Sequence, residues 1–281
     1  ARWWLGLDNL LSIQKQDPDG VFSPALRQDL IDEVSHLGAH AFTSRDGRLF
    51  DLLTGRVTFV NQRLAMHYGM SGITGDQHQP VPFPDSARVG VFTTAGMLTL
   101  NASTWQPTWP ARRTGSLVER LLCREVPDAP VRALPTDPKL PLREQTIAFT
   151  GRDGCPVCHH ILDPPGFAFL EFDSFGRFRA ADVDGRAFDT TGTFPEGMLA
   201  SPLPFRNADE LMKGIASRPE TFACVAQMYL RHALGREDPL DAPSAAEATA
   251  LPAIARAFAA ADGRFDALVD AVVRSEPFLQ P

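Results

Sequence analysis

The chain has 281 residues, which suits one large domain or two ordinary ones. A formal net charge of −7 argues against a broad nucleic-acid-binding face, and no apolar run approaches the roughly 20 residues that span a membrane. Four cysteines are too few for a disulfide scaffold, whereas 24 prolines predict long irregular connections.

The N-terminal part is predicted to be mainly helical. Residues 3–7 (WWLGL) are typical of the middle of a packed helix, so we expect further sequence upstream of Ala1. The best-defined helix covers 24–38, where Ser23 is the N-cap, Pro24 the first helical residue and Gly38 the stop. Further along, the patterns predict a helix over 49–68, a loop over 71–87, an ambiguous apolar segment over 89–100 and a helix over 112–123.

A proline-rich segment divides the chain. Residues 124–141 contain five prolines and no periodicity, which predicts an extended, stiff linker. We therefore predict a mainly α fold with a helical domain over 1–123, a linker over 124–141 and a second helical domain over 142–281. In that second domain, helices are predicted over 142–149, 208–216, 220–234, 249–261 and 265–273, with irregular chain over 163–204.

Cys155, Cys158 and His159 form a C-x-x-C-H motif, which is the attachment sequence of a covalent c-type haem. Two thiols with this spacing reach two vinyl groups of one porphyrin, and the adjacent histidine ligates the iron. A thioredoxin-like redox motif would follow a βαβ pattern, which is absent from this sequence. A zinc site would need two further ligands at suitable spacing, and a disulfide across two residues would be strained. We expect one covalent haem c, and these three readings remain as alternatives.

The residues after the motif suit a haem pocket. His159 needs a hydrogen-bond partner for its second ring nitrogen, and we expect a backbone carbonyl from a rigid turn at Asp163-Pro164-Pro165-Gly166. Arg177 and Arg179 are candidates to pair with the haem propionates, or are solvated surface residues. Five phenylalanines are expected to line the porphyrin, to pack in an ordinary core, or both: Phe167, Phe169, Phe172, Phe175 and Phe178.

The sixth iron ligand would decide the function. Met198 is our candidate, because it lies 39 residues after His159 in a loop and thioether ligation completes a His/Met cytochrome. It could also be a packed loop residue, or the sixth position could be open. Met228 and His232 lie on a predicted helix, where such residues more often pack than ligate.

The chain resembles the planctomycete-type cytochrome c proteins, whose C-terminal halves consist of consecutive domains of unknown function. The resemblance covers nearly the whole chain, and its motifs lie at residues 4–8, 59–69, 112–115, 121–123, 142–144, 155–159, 163–167, 172–177, 233–236 and 275–278. It implies a haem-bearing, class I cytochrome c-like C-terminal domain. Our candidate haem-binding residues in that domain are Cys155, Cys158, His159, Pro164, Phe167, Arg177 and Arg179. It also implies a periplasmic or otherwise extracytoplasmic location.

Three functions compete. The first is single-electron transfer between redox protein partners, with His159 and Met198 as the iron ligands. The second is a haem enzyme of peroxidase or oxygenase type with an open distal position. The third is an interaction module, in which residues 1–123 dock a partner chain. The N-terminal part offers no catalytic motif, and its His36–His40 pair is weak as a metal site because Gly38 lies between them at the predicted helix end.

The remaining two cysteines are predicted to form a disulfide. Covalent haem attachment takes place outside the cytoplasm, where disulfides persist. Cys123 and Cys224 each lie in an apolar-patterned helix, so a bond between them would tie the N-terminal part to the cytochrome part. Two buried free thiols are the alternative.

Overall fold

The fold is mainly α, as predicted, and is described from a computed structural model over residues 2–17, 19–44, 46–102, 109–126, 137, 139–152, 156–236 and 242–280. The α-helices of these residues are α1 (Pro24–Thr43), α2 (Leu49–Thr54), α3 (Gln62–His67), α4 (Ala95–Leu100), α5 (Pro110–Leu121), α6 (Leu142–Thr150), α7 (Pro156–Gly166), α8 (Ala208–Ala216), α9 (Pro219–Ala233), α10 (Ala245–Ala260), α11 (Phe265–Val273) and α12 (Glu276–Leu279). Short 3-10 helices cover Leu7–Leu11, Val91–Thr93 and Phe167–Phe169.

Two small antiparallel sheets accompany the helices. β1 (Val57–Val60) pairs with β2 (Gln79–Pro82), and β3 (Gly192–Phe194) pairs with β4 (Leu203–Phe205). Part of the predicted 71–87 loop is therefore a strand. No helix among the described residues is long and apolar enough to cross a membrane.

The single helix predicted over 49–68 is wrong. α2 ends at Thr54, and its C-cap Gly55 has an extended conformation; a Cβ there would lie 2.6 Å from the Asp51 carbonyl oxygen. Val57–Val60 then forms β1, in which Thr58 and Val60 point to the buried side. Asn61 starts α3 by accepting a 2.9 Å hydrogen bond from the Leu64 amide. The apolar residues of this segment fit both the 3.6-residue period of a helix and the two-residue period of a strand. Gly55 and the Asn61 cap mark the points where the secondary structure changes.

Other helices differ in length from the prediction. α1 is capped by Ser23, which accepts from the Leu26 amide, but it continues through a buried Gly38 to Thr43 because Ala41 still packs in the core. α10 starts at Ala245, earlier than predicted, because Ser244 and Glu247 form a capping box. Residues 3–6 form turns rather than the middle of a helix, although Trp4 and Leu5 are buried.

Apolar side chains from both predicted domains share one main core. Members of this cluster include Leu30 of α1, Leu117 of α5, Phe169, Leu211 of α8 and Phe258 of α10. A second, small cluster joins Leu142, Phe167, Leu170 and Phe188. The boundaries of the predicted domains stay a prediction, and linker residues 127–136 and 138 lie outside the described residues.

Candidate functional site

The helix α7 carries the second half of the C-x-x-C-H motif. Cys155 lies outside the described residues, and α7 begins at the next position. Cys158 is exposed, whereas the His159 side chain is only 17 % exposed. The thiol is thus accessible from solvent, while the imidazole beside it is turned towards the protein.

His159 donates to a carboxylate. Its Nδ1 lies 2.9 Å from Oδ1 of Asp163, one helical turn further along α7, and the Asp163 side chain is only 7 % exposed. The expected partner was a backbone carbonyl, so that expectation is wrong. When Nδ1–H donates to Asp163, the neutral imidazole presents its lone pair at Nε2, which is the nitrogen that can bind a metal. The donor chemistry of His159 therefore fits an iron ligand.

An aromatic ring that the motifs do not predict lies beside His159, and a second ring packs against the first. The Trp109 ring centroid is 6.1 Å from that of His159, and Trp109 meets Phe149 of α6 edge to face at 5.1 Å. Trp109 directly precedes α5, which packs along α7. It lies 50 positions before His159, so no local pattern could have indicated the contact.

The Asp-Pro-Pro-Gly segment is the last turn of α7, not a free turn. Pro164 and Pro165 lie inside the helix, which ends at Gly166. A Cβ at Gly166 would lie 2.2 Å from the Pro110 carbonyl oxygen, so the glycine lets the end of α7 touch the start of α5. Pro164 was predicted to contact a cofactor; its carbonyl oxygen lies next to Gly192 of β3. The cofactor contact stays a prediction.

The five phenylalanines divide between different environments. Phe169, Phe172 and Phe175 are buried in the main core, as ordinary core residues. Phe167 belongs to the second cluster, where the Arg143 guanidinium lies 4.2 Å from its ring centroid. Phe178 is 42 % exposed. Of the five, Phe167 directly follows α7, and its role beside a haem stays a prediction.

The two candidate propionate arginines already have protein partners. Arg177 donates from Nε to Oδ2 of Asp173 at 2.7 Å. Arg179 donates to the Leu170 carbonyl at 2.7 Å and lies over the Phe188 ring at 4.7 Å. Burial lowers the pKa of Arg179. These contacts stabilise the chain after α7, and the propionate role is untested.

Two buried arginines from the N-terminal part anchor the same segment. Arg88 donates to the Gly176 carbonyl at 2.6 Å. Arg113 donates to the carbonyls of Phe172 at 3.0 Å and Asp173 at 2.7 Å. Burial lowers the pKa of Arg113 to about 9. The chain that follows the motif helix is therefore held by side chains more than 50 residues upstream.

The candidate sixth ligands lie in different surroundings. Met198 follows β3, packs half-buried against the main core, and is preceded by Gly197, whose carbonyl accepts from Arg124. Met228 is buried in the core, and His232 stacks on Trp3 at 4.9 Å. Met228 thus packs in the core, as residues on a helix more often do, whereas His232 is exposed beside Trp3; ligation by Met198 stays a prediction.

Three histidines of the N-terminal part, His36, His40 and His78, form an aromatic cluster with Phe59. The ring of His36 stacks on His78 at 5.1 Å and on Phe59 at 5.8 Å, and His40 also contacts Phe59. Within the described ranges, no group of three or more His, Cys, Asp or Glu side chains could hold a metal ion.

The predicted disulfide is confirmed. Cys123 and Cys224 are bonded, with their Cα atoms 5.2 Å apart and a sequence separation of 101. Cys224 lies in α9, while Cys123 follows the end of α5 in a left-handed conformation with φ of 49°. The bond therefore connects α9 to the residue just beyond the end of α5, not to the helix predicted over 112–123.

Three family models match consecutive parts of the chain, and each describes a protein of unknown function. They are DUF1592 over residues 1–70, DUF1588 over 88–182 and DUF1585 over 203–278. Together the three matches extend over most of the chain. These are the domains found in planctomycete-type cytochrome c proteins, and the DUF1588 match includes residues 155–159. No curated protein and no solved structure matches the chain.

Proposed function

We propose that the protein is a c-type cytochrome that carries one covalent haem and transfers single electrons between protein partners. Cys155 and Cys158 would form the thioether bonds, and Nε2 of His159 would ligate the iron. The observation that carries the proposal is the hydrogen bond between His159 Nδ1 and Asp163, which fixes the ring and leaves Nε2 as the metal-binding nitrogen. The bound haem would supply a reversible one-electron couple.

The chain's own part in this function is to hold the ligand helix still. α7 is packed along α5, and the end of α7 touches Pro110 through Gly166. Trp109, against which Phe149 packs, places apolar surface next to the imidazole, and the His159 side chain is only 17 % exposed. A rigid, partly dry surrounding suits electron transfer, because little has to rearrange when the charge of the site changes.

Met198 is proposed as the sixth ligand. Its loop is fixed at Gly197 by the Arg124 guanidinium, so the methionine starts from a defined position. A thioether ligand raises the potential of a haem and is typical of electron carriers.

An extracytoplasmic, periplasmic location is part of the proposal. The Cys123–Cys224 disulfide supports it, because such bonds persist in oxidising compartments and are rare in the cytosol. Attachment of haem to a C-x-x-C-H motif takes place in the same kind of compartment, so the two kinds of cysteine pair are compatible with each other.

A haem enzyme with an open sixth position is the second candidate. The carboxylate partner of His159 favours it, because Asp163 would make the imidazole a stronger donor to a bound haem iron. Electron-rich iron is suited to activating a peroxide or oxygen, so a peroxidase- or oxygenase-like reaction is the alternative to electron transfer.

The visible spectrum of the reduced protein separates these candidates. A His/Met electron carrier gives a low-spin spectrum with a sharp α-band, and its oxidised form shows a weak sulfur-to-iron band. Met198→Ala should abolish both features, and Met66→Ala, which removes a 69 % exposed methionine, should leave them unchanged. A high-spin spectrum that changes when cyanide or peroxide is added contradicts electron transfer and favours the enzyme. A protein without haem absorption contradicts both.

A further inference from the structure

The carboxylate of Asp163 stands out among the buried acids because of its partner. Asp29 is paired with Arg63, and Asp173 is paired with Arg177. Asp163 is equally buried, but the only cationic or cation-forming partner found for it among the described residues is His159. Among the residues that the structure describes, the Asp163 carboxylate is therefore paired with the imidazole rather than with an arginine or lysine.

The stability of α7 does not explain this aspartate. Asp163 lies in the last turn of α7, where the helix dipole disfavours a negative charge. A histidine at position 159 and an acid at 163 share one face of the helix, and Asp163 is followed by two prolines and a glycine that fix the helix end against Pro110. The fixed helix end thus holds the Asp163 carboxylate at a position where the helix dipole destabilises its negative charge.

We propose that Asp163 is a positioning residue that gives His159 partial imidazolate character and lowers the reduction potential of the haem. This inference rests on the proposed function. A carboxylate accepts the Nδ1 proton more strongly than a neutral carbonyl does, so Nε2 becomes a stronger donor to the iron. A stronger donor stabilises ferric over ferrous iron, because the ferric ion carries the higher charge.

The direction of the change in reduction potential determines which electron donors can reduce the haem. The thioether of Met198 would raise the potential, whereas the Asp163–His159 pair would lower it. We infer that the potential is set by these two opposing contributions, so that the haem is a weaker oxidant than a His/Met haem whose histidine donates to a carbonyl. Its electron donors must accordingly be strong reductants.

The test compares the wild-type holoprotein with Asp163→Asn and with Asp184→Asn. Asp184 is exposed in the same half of the chain, so its variant removes an equal charge away from α7. We expect Asp163→Asn to raise the midpoint potential and to lower the iron–histidine stretching frequency, recorded by resonance Raman scattering after photolysis of a carbon monoxide adduct. Asp184→Asn should change neither quantity.

Two results overturn the inference while leaving the proposed function intact. One is an Asp163→Asn protein that matches Asp184→Asn in both quantities. The other result is obtained from the wild-type protein, so it is available even if Asp163→Asn does not fold. It is an iron–histidine stretching frequency equal to that of a c-type haem whose histidine donates to a backbone carbonyl. Wild-type protein without covalent haem instead contradicts the proposed function itself.

Discussion

Glu33 provides a quantitative test of how the N-terminal part is built. Its side chain is completely buried in α1, and Oε1 accepts hydrogen bonds from Thr58 Oγ1 at 2.5 Å and from the Tyr68 hydroxyl at 2.6 Å. Burial raises the pKa of Glu33 to about 7, although both hydrogen bonds and the charge of Arg88 act in the opposite direction. The carboxyl is therefore protonated in the folded protein under mildly acidic conditions.

The sign and size of the effect follow from this pKa. In the unfolded chain the carboxyl ionises near its ordinary pKa of 4.5, so between pH 4.5 and about 7 the folded state binds more protons. The contribution of Glu33 to stability is thus complete below pH 4.5 and is lost as the pH rises through 7. Raising a pKa from 4.5 to about 7 corresponds to a loss of about 3 kcal/mol.

The substitution Glu33→Gln isolates this contribution, because the amide keeps an acceptor for Thr58 and Tyr68 but does not ionise. Urea unfolding at pH 4 and pH 8.5 should show the variant gaining about 3 kcal/mol relative to the wild type between the two values. Glu144→Gln, which changes an exposed acid on α6, is the matched control for replacing a glutamate by glutamine. A constant difference between Glu33→Gln and wild type would refute the reasoning.

Three further predictions concern stability. Replacing Cys123 and Cys224 together by Ala should lower the free energy of unfolding by about 4–5 kcal/mol, measured in urea, because the bond closes a loop across 101 positions; a loss below 1 kcal/mol would contradict this. Arg113→Leu leaves the carbonyls of Phe169, Phe172 and Asp173 without their donor and should cost about 3 kcal/mol, whereas Arg112→Leu next to it, at an exposed position, should cost little in the same assay. The pKa of His78 is lowered by burial and by His36, so the unfolded state binds more protons and the free energy of unfolding should fall as the pH drops below about 6.5. His78→Gln should reduce this loss of stability in acid. An acid unfolding curve that is the same for His78→Gln and wild type would contradict the prediction.

The sequence predicts those elements well that carry their own boundary signals. α8 and α11 have the predicted bounds, because α8 starts at an Asn207 cap and both helices have a regular apolar face. The segment 49–68 is different, since its strand is stabilised by pairing with β2, about 20 residues away. That pairing depends on tertiary structure, and local periodicity does not contain it.

The candidate site likewise combines features that the sequence contains with contacts that depend on tertiary structure. The C-x-x-C-H motif and the i, i+4 spacing of His159 and Asp163 are both present in the sequence, but Pro164 and Pro165 predict a turn and so conceal the shared helix face. Trp109 could not be predicted, because it reaches His159 only through the packing of α5 on α7. The same is true of Arg113, which contacts carbonyls 56 to 60 positions away.

Covalent haem attachment is the central claim, and the mass of the denatured protein tests it most directly. The protein should be produced in a host that matures c-type cytochromes, then unfolded, extracted with acid and butanone, and weighed. The account predicts the mass of the chain plus one haem, lost when Cys155 and Cys158 are both replaced by Ser and retained when Cys123 and Cys224 are both replaced by Ala. A wild-type chain of unmodified mass, with all haem absorption removed by the extraction, would contradict it.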